Sequence, residues 1–148
     1  MAARKRAAGK KYFTVAEANA ALPLTRAIVK DITELARDLR DRHERLSRLR
    51  PASKDSIGPD HQEELQQVMA EFERDTQRMR DYEKELKELG VELKDYYTGL
   101  LDFPCWMGDR EVYLCWRLGE PDVSHWHELD AGFAGRQKIT AELTGQAR

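Results

Sequence analysis

Leu100-Leu101-Asp102-Phe103-Pro104-Cys105-Trp106-Met107-Gly108-Asp109-Arg110-Glu111-Val112-Tyr113-Leu114-Cys115-Trp116-Arg117-Leu118 decides the fold. Two runs, 100–106 and 111–118, are rich in strand-forming side chains and flank Met107-Gly108-Asp109-Arg110, which reads as a turn. A four-residue turn pairs Trp106 with Glu111. Side chains alternate across a strand. This register therefore puts Leu101, Phe103, Cys105, Val112, Leu114, Trp116 and Leu118 on one apolar face. Asp102, Pro104, Trp106, Glu111, Tyr113, Cys115 and Arg117 share the other, mixed face. The two cysteines lie on opposite faces and out of register, a geometry that forbids a disulfide. Cys105 reads as a core thiol, and Cys115 sits opposite Asp102.

The pattern extends on both sides. Val91-Glu92-Leu93-Lys94 alternates like a short strand, Gly119-Glu120-Pro121-Asp122 turns the chain, and 123–128 reads as a final extended segment. The expectation is a small antiparallel β-meander over residues 91–139, with a flexible tail at 140–148.

Upstream the period changes from two to three and a half. Ile28, Ile32, Leu35, Leu39, Arg42, Leu46 and Leu49 form one heptad seam; Leu65, Val68, Phe72, Asp75, Met79, Tyr82, Leu86 and Leu89 form another. Gly90 supplies a C-terminal stop. Folding the seams back about Gly58-Pro59 sets Leu49 by Val68, Leu46 by Phe72, Leu39 by Met79 and Ile32 by Leu86. The same register sets Arg42 opposite Asp75, either as a polar layer that fixes alignment or as two side chains that snorkel outward. Thr14 and Glu17 form a capping box, and Pro23 predicts a short helix over 15–21 followed by a kink. The fold class is therefore α+β: a capped, coiled-coil-like antiparallel helical hairpin over residues 12–90, then the β module.

The chain has 148 residues, 35% of them charged, and a net charge of −2. Arg4, Lys5, Arg6, Lys10 and Lys11 give residues 1–11 a basic character, read as a disordered tail and the one place for nucleic-acid contact. No apolar run approaches the roughly 20 residues of a bilayer span, and no secretory signal is evident. A cytoplasmic protein with reduced thiols is expected.

Two further features bear on function. His125 and His127, two apart on an extended segment, point the same way and can chelate a divalent metal, with Glu128 and Asp130 or Cys115 as further ligands. If Trp126 enters the core, the histidines join Asp102 and Cys115. Gly132-Phe133-Ala134-Gly135-Arg136 offers amides and a guanidinium to an anion, or simply a tight turn. Asp102, Cys115, Arg117, Gly132, Gly135 and Arg136 are thus candidate ligand contacts.

Tyr12-Phe13-Thr14-Val15-Ala16-Glu17-Ala18-Asn19 with Leu22-Pro23-Leu24 forms one half of a recognisable pair. The other half is Arg110-Glu111-Val112-Tyr113-Leu114-Cys115-Trp116-Arg117-Leu118-Gly119-Glu120 with Trp126-His127-Glu128-Leu129-Asp130-Ala131-Gly132-Phe133-Ala134-Gly135-Arg136. Over nearly the whole chain this resembles a bacterial family known as domain of unknown function 2203. The resemblance implies a small cytoplasmic helical-hairpin protein and carries no catalytic residue. The expected function is a non-enzymatic interaction or scaffold protein, homodimeric through its hairpin or bound to a protein partner. The alternative is a metal- or small-ligand-binding protein, open to being an enzyme, built on segment 125–136.

Overall fold

Thr14 opens the first helix. Its hydroxyl accepts from Glu17 N–H, and Glu17 accepts in return from Thr14 N–H, both at 3.0 Å. The computed structural model describes residues 9–49 and 58–140. The basic residues 4–6, the segment Pro51 to Ile57 and the tail from 141 lie outside the described residues.

Helix α1 (Val15–Leu49) runs unbroken through Pro23, so the short helix expected to end at 21 does not form. Pro23 is exposed, which lets water serve the carbonyl it orphans. Buried Leu22 and Thr25 on either side hold the backbone in place, and the Thr25 hydroxyl donates to Ala21 O at 3.2 Å. Packing here outweighs a proline penalty of about 3 kcal/mol. Helix α2 (Pro59–Leu89) ends at Gly90, whose φ of 86° is the left-handed conformation that favours glycine. Val91 N–H then donates to Leu86 O at 3.0 Å.

The helices pack as a hairpin along the seams: Ile28, Ile32, Leu35, Val68, Met79 and Leu86 are all buried. Arg42 forms an ion pair with Asp75, which is buried, and Arg78 reaches the same carboxylate at 3.3 Å. Arg42→Leu is expected to cost about 1–3 kcal/mol, less than for a fully buried pair because Arg42 is a third exposed and Arg78 remains. Arg42→Leu with Asp75→Leu should recover most of that loss in a urea titration.

Five antiparallel strands follow in the spatial order of the sequence: β1 (Glu92–Asp95), β2 (Leu100–Met107), β3 (Arg110–Arg117), β4 (His125–Glu128) and β5 (Gln137–Lys138). Trp106 pairs with Glu111 and Asp102 with Cys115. The turn is tighter than the expected four residues, because Met107 pairs with Arg110 across Gly108-Asp109. Phe103, Leu114, Trp116 and Trp126 bury one sheet face against α1. Here α1 uses a second stripe, Ala18, Leu22, Thr25, Val29, Thr33 and Ala36, outside the hairpin seam. Asn19 clamps the entry to β4, accepting from Val123 N–H at 2.8 Å. Lys10 and Lys11, expected in the tail, are engaged instead. Lys10 Nζ lies 2.6 Å from Glu111, and the Lys11 ammonium lies 4.7 Å from the centre of the Phe13 ring. Phe13 N–H donates to Pro104 O at 2.7 Å, covering the edge of β2 that β1 does not reach.

Candidate metal centre

The orientation of Trp126 fixes the other face of the sheet. Trp126 pairs with Leu114 and is 5% exposed, inside the core. Alternation then turns His125 and His127 onto the mixed face, where Cys115 pairs with Asp102 on one side and with His125 on the other.

His127 reaches over β3 to Asp102, placing Nε2 3.0 Å from Oδ1. One carboxylate oxygen, one imidazole nitrogen and the Cys115 sulfur all lie within 4.8 Å of one another. Asp102 is 3% exposed, Cys115 0% and His127 2%. Burial pushes the Asp102 carboxyl up from its ordinary range, against the opposing pull of His127 and Lys94. Burial, reinforced by the Asp102 charge, pushes the Cys115 thiol up to about 12, while Arg136 acts to lower it.

Hydrogen accounting narrows the chemistry. His127 Nδ1 lies 2.7 Å from Glu128 O. A carbonyl only accepts, so Nδ1 carries a hydrogen and Nε2 faces Asp102. Between Nε2 and the carboxylate there must then be a proton or a cation. Both ring nitrogens are occupied, which leaves none to act as base for Cys115. With a buried, raised-pKa thiol this excludes a cysteine–histidine nucleophile. The set does suit a metal ion. A histidine ligand ordinarily donates its second N–H to a carbonyl, as His127 does to Glu128. Zinc–ligand bonds of about 2.0–2.3 Å put tetrahedral donors roughly 3.3–3.8 Å apart. Opening the Asp102–His127 contact by about half an ångström would accommodate that.

The residues singled out from sequence are only partly brought together. His127, Asp102 and Cys115 meet. His125 stands aside, bonded to Ser124 Oγ at 3.0 Å and 3.9 Å from Glu120. Glu128 does not join the histidines, because alternation turns it away and Arg110 pairs with it at 2.6 Å. Asp130 is exposed beyond the strand end. The segment offered as an anion cradle uses two of its amides internally. Gly135 N–H donates to Gly132 O and Arg136 N–H to Phe133 O, closing a 3₁₀ turn over Phe133–Gly135. Arg117 is exposed, its guanidinium 4.9 Å from the Phe133 ring centre. Arg136 turns inward, gripping Glu120 through two hydrogen bonds of 2.8 and 2.7 Å, and its charge acts on the neighbouring Cys115 thiol. Glu120, which sequence reasoning passed over as a turn residue, anchors that arginine. It also accepts from Arg117 N–H at 2.7 Å.

Residues 11–139 match the family described as an uncharacterized conserved protein (DUF2203). No curated protein and no solved structure matches the chain.

Proposed function

The chain belongs to this family, and because membership brings no activity with it, we propose a function from the site: a metal-binding protein in which Asp102, Cys115 and His127 hold a divalent ion of the zinc class. The carrying observation is the convergence of three buried donors from three adjacent strands, with the His127 Nδ1 hydrogen already engaged by Glu128 O. Thiolate and imidazole together favour thiophilic ions over magnesium or calcium. Three protein ligands leave a fourth position for water or an outside ligand, the pattern of catalytic rather than structural zinc. Loading would release the thiol proton and any proton held between His127 and Asp102.

Elemental analysis of protein purified without chelator tests this. About one equivalent of metal is expected in the parent and in His125→Ala, and little in His127→Ala or Cys115→Ala. A parent that stays metal-free after incubation with zinc would sink the proposal. Two unbridged thiols support a reducing, cytoplasmic setting, and no helix among the described residues is long and apolar enough to cross a membrane.

A second reading, an interaction or scaffold protein, is favoured by the far end of the hairpin. Beyond Ala36 no residue of α1 is buried. A groove of about 410 Å³ opens there among His43, Leu46, Leu65, Met69 and Phe72. The occupant would be a second copy, its hairpin completing a four-helix bundle. Light scattering should give a dimer that Met69→Glu dissociates; a monomeric parent at high micromolar concentration refutes this reading.

A further inference from the structure

We infer that residues 129–136 form a gate over the metal centre, latched by Arg136 on Glu120, which controls access to Cys115. What passes the gate rests on the metal reading; the gate itself does not.

The arm is held chiefly through one side chain. Residues 129–135 are all exposed, and Arg136 alone turns inward, its side chain 15% exposed. Apart from that arginine, the arm's anchors are slight. Strand β5 makes only two pairs with β4, Ile139 donates its N–H to Ser124 O at 2.8 Å and is the segment's one side chain against the core, and Phe133 lies under the Arg117 and Arg136 guanidiniums. Few apolar contacts and exposed backbone bonds are the marks of a segment that opens locally, well below the global unfolding free energy.

The fixed half of the latch is built into the β3–β4 turn. Glu120 N–H donates to Arg117 O, Trp116 Nε1 donates to Glu120 O, and Arg117 N–H holds the carboxylate. The bond between Arg136 and Glu120 is charge-assisted and bidentate, the strongest common type. With Glu120 immobile, Arg136 is the half that leaves. When it does, the guanidinium charge near Cys115 goes with it, and Phe133 parts from Arg117 on the mixed face. Cys105, on the core face beneath α1, is untouched by that movement.

Iodoacetamide labelling of the metal-free protein, read by mass spectrometry of the two cysteine peptides, separates local from global opening. Cys115 should label faster than Cys105 in the parent. Glu120→Gln should speed Cys115 about tenfold while leaving Cys105 unchanged, since it weakens one charge-assisted pair. Equal acceleration of both cysteines, or none, overturns the gate. If Glu120→Gln does not fold, hydrogen exchange of the parent decides. Amides of 133–139 should exchange through a lower-energy opening than those of β3, and equal protection would refute the proposal. Zinc removal by chelator, measured in the same variant, should quicken in parallel. A parent that takes up no zinc yet shows selective Cys115 labelling would retain the gate and discard the metal.

Discussion

Asp102→Ala is expected to destabilise the metal-free protein by about 2–4 kcal/mol and to abolish its stabilisation by zinc. Asp102 is 3% exposed and lies 3.0 Å from His127 Nε2. Truncation leaves the buried His127 Nε2 without its hydrogen-bond partner. Asp102→Asn keeps a hydrogen-bonding group in the same volume and should cost less. In the parent, zinc at a thousandfold excess over Kd should add about 4 kcal/mol, reduced by whatever binds the unfolded thiols. The alanine variant should gain little. Urea titrations with zinc and with chelator measure both effects. A variant as stable as the parent would mean that the Asp102–His127 contact is not formed in solution.

Gly99→Ala should cost about 3 kcal/mol, and Gly108→Ala only about 1 kcal/mol. Both glycines have a positive φ, 69° and 64°, so both alanines bear the left-handed strain. They differ in what the new methyl meets. At Gly108 nothing lies within 4 Å. At Gly99 a Cβ would stand 2.8 Å from Leu118 Cβ and 3.2 Å from Thr33 Cγ2. Neither atom is the far end of a flexible chain. Leu118 is fixed by its N–H bond to Gly99 O at 3.0 Å, and Thr33 is buried on α1. The helix would have to lift from the sheet or the β1–β2 turn unwind. Matched unfolding curves for the two variants would contradict this packing of α1.

Local periodicity explains what could be read in advance. The alternation through 100–118 fixes the pairing of Trp106 with Glu111, and with it the shared face of Asp102 and Cys115. The heptads and Gly90 fix the hairpin in the same way. Pro23 misleads because helix-breaking is a statement about a proline with no tertiary support, whereas here buried neighbours hold the turn. Strand β5 leaves no pattern, being two exposed residues paired to an edge. The meeting of Asp102, Cys115 and His127 is half legible for a definite reason. Donors adjacent in sequence, such as His127 with Glu128, are parted by the pleat, while Asp102 and His127 are joined across an intervening strand. Which histidine reaches Asp102 depends on the register of β4, where a slip of one residue would exchange the faces. The meeting of Arg136 with Glu120 is set by the path of an exposed arm, and no period in the sequence encodes it.

Strand β4 carries Trp126 into the core on one face and His127 to Asp102 on the other. This has a consequence in time. The ribosome releases α1 well before β4; at about 5–20 residues per second, on the order of ten seconds separate them. For that interval the stripe from Ala18 to Ala36 has no finished sheet to lie on, and it is open to chaperones or to other nascent chains. When β4 docks, it closes the core and brings in the third donor in one step. A chain cut before residue 126 therefore lacks both, and if the three donors hold an ion as proposed, its capture would report that synthesis has run past β4.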